Sequence, residues 1–133
     1  MRKSVLIIAI ALGFSMSSVN ANNSVDSSSN FTITKAIFSV SPFCTSIAKG
    51  DLVTVEKLIA LGEDVNRKSN GMTPAMYAAK YNRVEILKLL IKNGAELNKK
   101  SDRGMTAENY AELSNAQDVL EVISNFEASK RKS

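Results

Sequence analysis

Glu108 and Glu112 stand four residues apart. On a helix that spacing brings two carboxylates to one face, where such a pair can do acid–base work. Nothing near them suggests a pocket, and the ordinary place for such residues is a solvated face. Cys44 is the one cysteine of the chain, so no internal disulfide can form. Its chemistry would be a mixed disulfide, a covalent dimer in an oxidising compartment, or thiol redox work, which needs exposure and a lowered pKa. Burial as a small apolar residue is the commoner fate of a free cysteine. With no histidine anywhere, a His general base, a Ser-His or Cys-His pair and a His-ligated metal are excluded. No Gly-Lys-Ser/Thr phosphate loop occurs, and Asp and Asn residues nowhere take the alternation of a calcium loop. These residues predict no enzyme, no cofactor and no metal site. They leave a surface that binds.

The elements that would carry such a surface recur along the chain. Gly71-Met72-Thr73 with Tyr77-Ala78 returns 33 residues later as Gly104-Met105-Thr106 with Tyr110-Ala111. Ser41-Pro42 stands 32 residues before Thr73-Pro74, and Gly50, Leu58, Ile59 and Gly62 fall 32 before Asn82, Leu90, Ile91 and Gly94. A period of this length belongs to a stacked repeat. The units run over about 39–68, 69–101 and 102–127, giving a repeat domain over 39–127. Within the middle unit, Thr73 is the expected N-cap, with Pro74 in the first helical position. Pro74 to Tyr81 reads as a short helix, Asn82 as the turn, and Val84 to Lys92 as a second helix ended by Gly94. Val84, Leu87, Leu90 and Ile91 recur at the spacing of one buried stripe, answered by Leu52, Val55, Leu58 and Ile59 before and Val119, Leu120, Val122 and Ile123 after. Asn66 to Asn70 and Asn98 to Arg103 would project as turns from one edge. The expected fold is all-α, a solenoid of about three helix-turn-helix units with short projecting turns.

The run Gly71-Met72-Thr73-Pro74-Ala75-Met76-Tyr77-Ala78-Ala79, continuing to Leu89-Leu90-Ile91-Lys92-Asn93-Gly94-Ala95-Glu96-Leu97-Asn98, resembles a nearly complete ankyrin repeat. Met76 stands where that family usually has His, Asn82 where it has Gly, and Ala107 where it has Pro. The missing His removes a turn-fixing hydrogen bond, which implies looser fingers. The resemblance further implies partner binding by the turn tips and the exposed side of the first helices, which line a concave face. Carried over by position, the residues are Arg67, Lys68, Asn70, Met72, Tyr77 and Lys80 in the middle unit, and Lys99, Lys100, Asp102, Arg103, Met105 and Tyr110 in the last. Five of the tip residues are basic and one is acidic, which suits an acidic protein partner with a protruding apolar group. The plainer alternative has Met72 and Met105 packing between adjacent turns, with the charges only solubilising them. Small exported bacterial proteins of this family are in some cases linked to catalase function, so the resemblance also implies support of a catalase or another antioxidant enzyme. An inhibitor or immunity protein against a periplasmic toxin fits the same size and surface.

The N-terminus has a different character. Arg2 and Lys3 precede the apolar run Val5 to Phe14, and Ser15 to Ala21 is small and polar. This is the layout of a cleavable signal peptide over 1–21, cut after Ala21, and its apolar part falls short of the roughly 20 residues that span a bilayer. The mature chain is then expected in the periplasm or outside the cell, with no stable membrane anchor. Residues 22–38 read as a polar tether whose end, from Phe31, has the alternation of an N-terminal cap. Removing residues 1–21 lowers the formal charge from +4 to +2, since it takes away Arg2 and Lys3 and no acid. Residues 128–133 form a basic tail. No broad basic surface remains that would favour nucleic acid.

Overall fold

The computed structural model describes residues 40–133. The expected signal segment (1–21) and tether with cap (22–38) lie outside the described residues. Six helices follow in order: α1 (Pro42–Lys49), α2 (Leu52–Ala60), α3 (Pro74–Lys80), α4 (Val84–Lys92), α5 (Ala107–Leu113) and α6 (Gln117–Arg131). They pack as three pairs, α1 with α2, α3 with α4, and α5 with α6. The first helices of the pairs form one layer in which α3 touches α1 and α5, and the second helices form another in which α4 touches α2 and α6.

Local chemistry sets the boundaries of each pair. Ser41, Thr73 and Thr106 cap α1, α3 and α5, their hydroxyls accepting the N–H of Cys44, Met76 and Asn109 at 3.2, 3.3 and 3.4 Å. Between the helices of each pair stands a residue of left-handed backbone: Gly50 at φ 81°, Asn82 at 51° and Asn115 at 55°. Gly50 also leaves room for a neighbouring side chain. The Arg83 guanidinium lies 3.2 Å from where a Cβ at position 50 would sit, and its Nε and Nη2 donate to Ala48 O at 3.0 and 2.7 Å. Arg83 thus satisfies a carbonyl at the end of α1 that the helix leaves without a partner. Asn82 makes a different link to the following unit, donating through Nδ2 to Asp118 at 3.2 Å and accepting Val119 N–H, in the first turn of α6, at 3.3 Å.

The core follows the expected stripes with one widening. Leu87 and Leu90 are fully buried, and Val84 and Ile91 are half-buried against them. Ile86, absent from the predicted stripe, is buried too, at 3% exposure. The reason is position: α4 lies between α2 and α6, so it buries a broader arc than a helix with one neighbour. On α2, only Val55 is fully buried. In α3 every residue from Pro74 to Ala79 is buried. Ala75, Ala78 and Ala79 allow that helix to approach its neighbours closely.

The second helix of the last unit runs beyond the expected Gln117 to Phe126, because α6 continues through Arg131 into the basic tail. Phe126 anchors the extension, lining a cleft with Ile91, Ala95 and Leu97 from the end of α4 and the loop beyond it. The Lys130 ammonium sits 5.4 Å from the Phe126 ring centre. Lys130 and Arg131 fall in the last turn, where cations complement the helix dipole.

Candidate functional site

The turns between pairs are ordered by backbone and serine hydroxyl bonds. In the first finger, Ser69 and Met72 exchange backbone hydrogen bonds of 2.9 and 3.1 Å around Asn70 and Gly71, whose φ values are 51° and 78°. Two positive φ values in an Asn-Gly pair make the two-residue hairpin turn that this dipeptide favours. Ser69 also ties the finger to the cap of α1 and to the interior of α3: its hydroxyl accepts Ser41 N–H at 2.8 Å, and its carbonyl accepts the Tyr77 hydroxyl at 3.0 Å. In the second finger, buried Ser101 takes the equivalent place. Its N–H donates to Met105 O at 2.8 Å, and its hydroxyl accepts the N–H of Arg103 and of Met105, each at 3.2 Å.

The second finger is one residue longer than the first, which is where the spacing of 32 between Asn66 and Asn98 becomes 33 between Gly71 and Gly104. The added length lets it grip its neighbour. Asp102 N–H donates to Gly71 O at 3.0 Å, and its carboxylate pairs with Lys68 Nζ at 3.0 Å. A Cβ at position 71 would lie 2.9 Å from the Asp102 carboxylate, so glycine there serves both the positive φ and the clasp.

Six of the twelve residues proposed for partner contact meet in one groove of about 520 Å³, Asn70, Met72, Lys80, Asp102, Arg103 and Tyr110, which Gly71 also lines. The others divide. Arg67 and Lys100 are exposed but do not line the groove, and Met105 is half-buried. Lys68 is committed to Asp102, and Lys99 donates to the Asn66 carbonyl at 3.1 Å. Tyr77 is a correction: at 6% exposure it packs inside the layer of first helices and holds Ser69 through its hydroxyl. Burial pushes its phenol up to about 12, with smaller contributions from Cys44, Tyr81 and Tyr110. Tyr110 is nearly as buried, yet an edge reaches the groove. Met72 and Met105 both pack against the core while half-exposed, so they serve the packing between turns and leave apolar surface at the tips.

The position at which the resemblance lacks His takes a different form in each unit. Met76 Sδ accepts Thr73 N–H at 3.3 Å, and Asn109 Oδ1 accepts Thr106 N–H at 3.0 Å. These side chains close the reciprocal cap that a polar third residue normally closes. They supply bonds to the caps at the position where the resemblance lacks His, beside the Ser69 and Ser101 bonds within the fingers. The corresponding residue of the first unit is Cys44. It is buried, and burial raises its pKa above the usual thiol value while the Ser41 hydroxyl bond lowers it by less. A protonated, covered thiol is the opposite of what redox work requires. Glu108 and Glu112 are exposed, and the Asn109 amide reaches the Glu112 carboxylate at 3.5 Å. Among the described residues there is no group of three His, Cys, Asp or Glu side chains placed to hold a metal, and no helix long and apolar enough to cross a membrane.

Sequence reasoning passes over Ser69, Ser101 and Asn66. Asn66 accepts Glu96 N–H at 2.8 Å and donates to Gly94 O at 3.0 Å, bracing the loop beneath the second finger. The available signal was the recurrence of Asn-x-x-Ser at 66–69 and 98–101.

The sequence family described as ankyrin repeats, in 3 copies, matches residues 42–132. Dauer abnormal formation protein 25 of Caenorhabditis elegans is 34% identical over 79 residues, covering 58% of this chain and 20% of that protein. The chain therefore spans about 20% of the length of this curated relative. The crystal structure of the human ASB11 ankyrin repeat domain superposes with a TM-score of 0.61 at 29% identity, over 65% of this chain and 39% of that one. Domains of this kind typically bind other proteins and catalyse nothing. Capped helix pairs, hairpin fingers and a match that extends from the first cap to the last helix make this chain a member of the ankyrin-repeat family.

Proposed function

We propose that this protein is an exported, non-enzymatic adaptor that holds one acidic protein partner on its finger face and supports a catalase or another antioxidant enzyme. The observation that carries the binding site is the groove at the two fingers, lined by Lys80 and Arg103 with Met72 and Tyr110, while Arg67 and Lys100 are further exposed cations of the finger segments. Cations near a modest apolar surface steer an acidic partner and give it an anchor. Lys68 and Lys99 contribute less, because each already has an intramolecular acceptor. The export reading rests on residues 1–21 of the sequence, and the antioxidant setting rests on the family resemblance.

The test is affinity capture from the exported fraction with the chain from Asn22 onward, beside a variant carrying Arg67→Glu, Lys100→Glu and Arg103→Glu. Retention of one protein by the first bait and its loss from the second is the expected result. Equal retention by both baits would move the site off the fingers. Catalase activity and peroxide survival of a deletion strain test the setting, and no change in either would remove it.

A further inference from the structure

Two Asn-Gly pairs occur among the described residues, Asn70-Gly71 and Asn93-Gly94. This dipeptide favours succinimide formation, because glycine places no side chain in the way of its own backbone nitrogen. Both asparagines are exposed, so exposure does not distinguish them. Hydrogen bonding does. At the end of α4, Gly94 N–H donates to Ile91 O at 3.0 Å and the Asn93 amide donates to Leu89 O at 2.9 Å. The attacking nitrogen and the leaving group are both held there. At the finger tip, neither Gly71 N–H nor the Asn70 amide donates to any group among the described residues. The turn around them is held by the two Ser69–Met72 backbone bonds and by Asp102 N–H on Gly71 O, none of which engages the attacking nitrogen or the leaving amide.

We propose that Asn70 is a deamidation site of the native protein and that Asn93 is protected from the same reaction by the fold. The Gly71 backbone nitrogen attacks Asn70 Cγ, forming an N–C bond as the Cγ–Nδ2 bond breaks. The departing amide nitrogen takes the Gly71 proton and leaves as ammonia. Water then opens the succinimide at either carbonyl, leaving an aspartyl or isoaspartyl residue at position 70. A neutral amide in the groove becomes a carboxylate among Lys80, Arg103 and Asp102. Its effect on partner binding rests on the function proposed above; the chemistry at position 70 does not.

The full chain, incubated natively in mildly alkaline buffer, is digested with trypsin and followed by mass spectrometry. Cleavage after Lys68, Lys80, Lys92 and Lys99 puts the two pairs on separate peptides, 69–80 and 93–99. Conversion of amide to acid is expected at least about tenfold faster at Asn70 than at Asn93 in the native chain, since only at the second must hydrogen bonds of the attacking nitrogen and the leaving amide first be broken by local opening. In denaturant the two rates should converge. Equal native rates, a faster reaction at Asn93, or an inert Asn70 in a chain that converts it when unfolded would each overturn the proposal. The Asn70→Asp variant, used as bait in the capture experiment, separates the two readings: conversion with undiminished capture leaves the modification standing and removes the groove as the partner site.

Discussion

Leu90→Ala tests the packing on which the finger face depends. Leu90 is fully buried on α4, the helix held between α2 and α6. Truncation there removes transfer free energy and leaves a cavity that neighbours on both sides hinder from collapsing, a loss of about 2–5 kcal/mol. Residues 40–133 form a domain whose total stability, at about 0.05–0.15 kcal/mol per residue, comes to about 5–14 kcal/mol. Three repeats are near the minimum for a stack, which places it toward the low end. With a urea dependence of about 1 kcal/mol per molar, the unfolding midpoint should fall by roughly 2 M or more. Far-ultraviolet circular dichroism follows the transition, and Leu61→Ala is the control. Leu61 is 83% exposed, so its loss should stay within about 0.5 kcal/mol. Register is tested by a second comparison, in which Ile86→Ala should cost more than Val84→Ala because Ile86 is the more deeply buried. A Leu90→Ala midpoint matching that of Leu61→Ala, or Val84 outweighing Ile86, would refute the helix placement.

Native Cys44 should react with a thiol reagent only as fast as the domain opens, because it is buried and its pKa is raised; labelling at the free-thiol rate before unfolding would return the redox reading. Tyr77 supplies a pH dependence of definite sign. The folded state holds its proton more tightly, so stability is intact below the ordinary phenol value of 10.0 and is lost as pH rises from there through about 12. Tyr77→Phe should remove that part of the alkaline loss while costing about 1 kcal/mol at neutral pH for the bond to Ser69 O. An identical alkaline slope in the two proteins would show that Tyr77 titrates as an exposed phenol.

What the sequence made legible was whatever depends on near neighbours in the chain. Thr73 and Pro74 mark a helix start by their own chemistry, Asn82 and Gly50 mark a turn by tolerating positive φ, and Leu87 and Leu90 mark a core by spacing. What it hid was whatever depends on the stacking of units. Tyr77 looks like a contact residue on an isolated helix, and only the approach of α1 and α5 to α3 buries it. Lys68 and Asp102 lie 34 residues apart and Arg83 and Ala48 lie 35 apart, so no local pattern announces either bond. The length of α6 escaped because Phe126 is a lone apolar residue in a polar stretch, and its partners Ile91 and Leu97 belong to the preceding unit.

The extra residue in the second finger joins structure to the proposed function. Without it, both fingers could take the same two-residue turn and present their cations independently. With it, Asp102 reaches back to Gly71 O and to Lys68, joining the two tips by a backbone bond and an ion pair. The ion pair is exposed and contributes little stability alone, about 0–1 kcal/mol. Its effect is on charge placement: it pairs Asp102 with Lys68 at the edge of the groove and leaves Arg103 and Lys80 as the groove's cations without an ion-pair partner among the described residues. A partner's carboxylate must then pair with those two cations or displace Asp102 from Lys68. Pairing with Arg103 and Lys80 leaves the clasp intact and keeps both fingers in place, so Asp102→Asn should disturb binding far less than Arg103→Glu. Equal losses from the two substitutions would mean that the clasp itself is the contact.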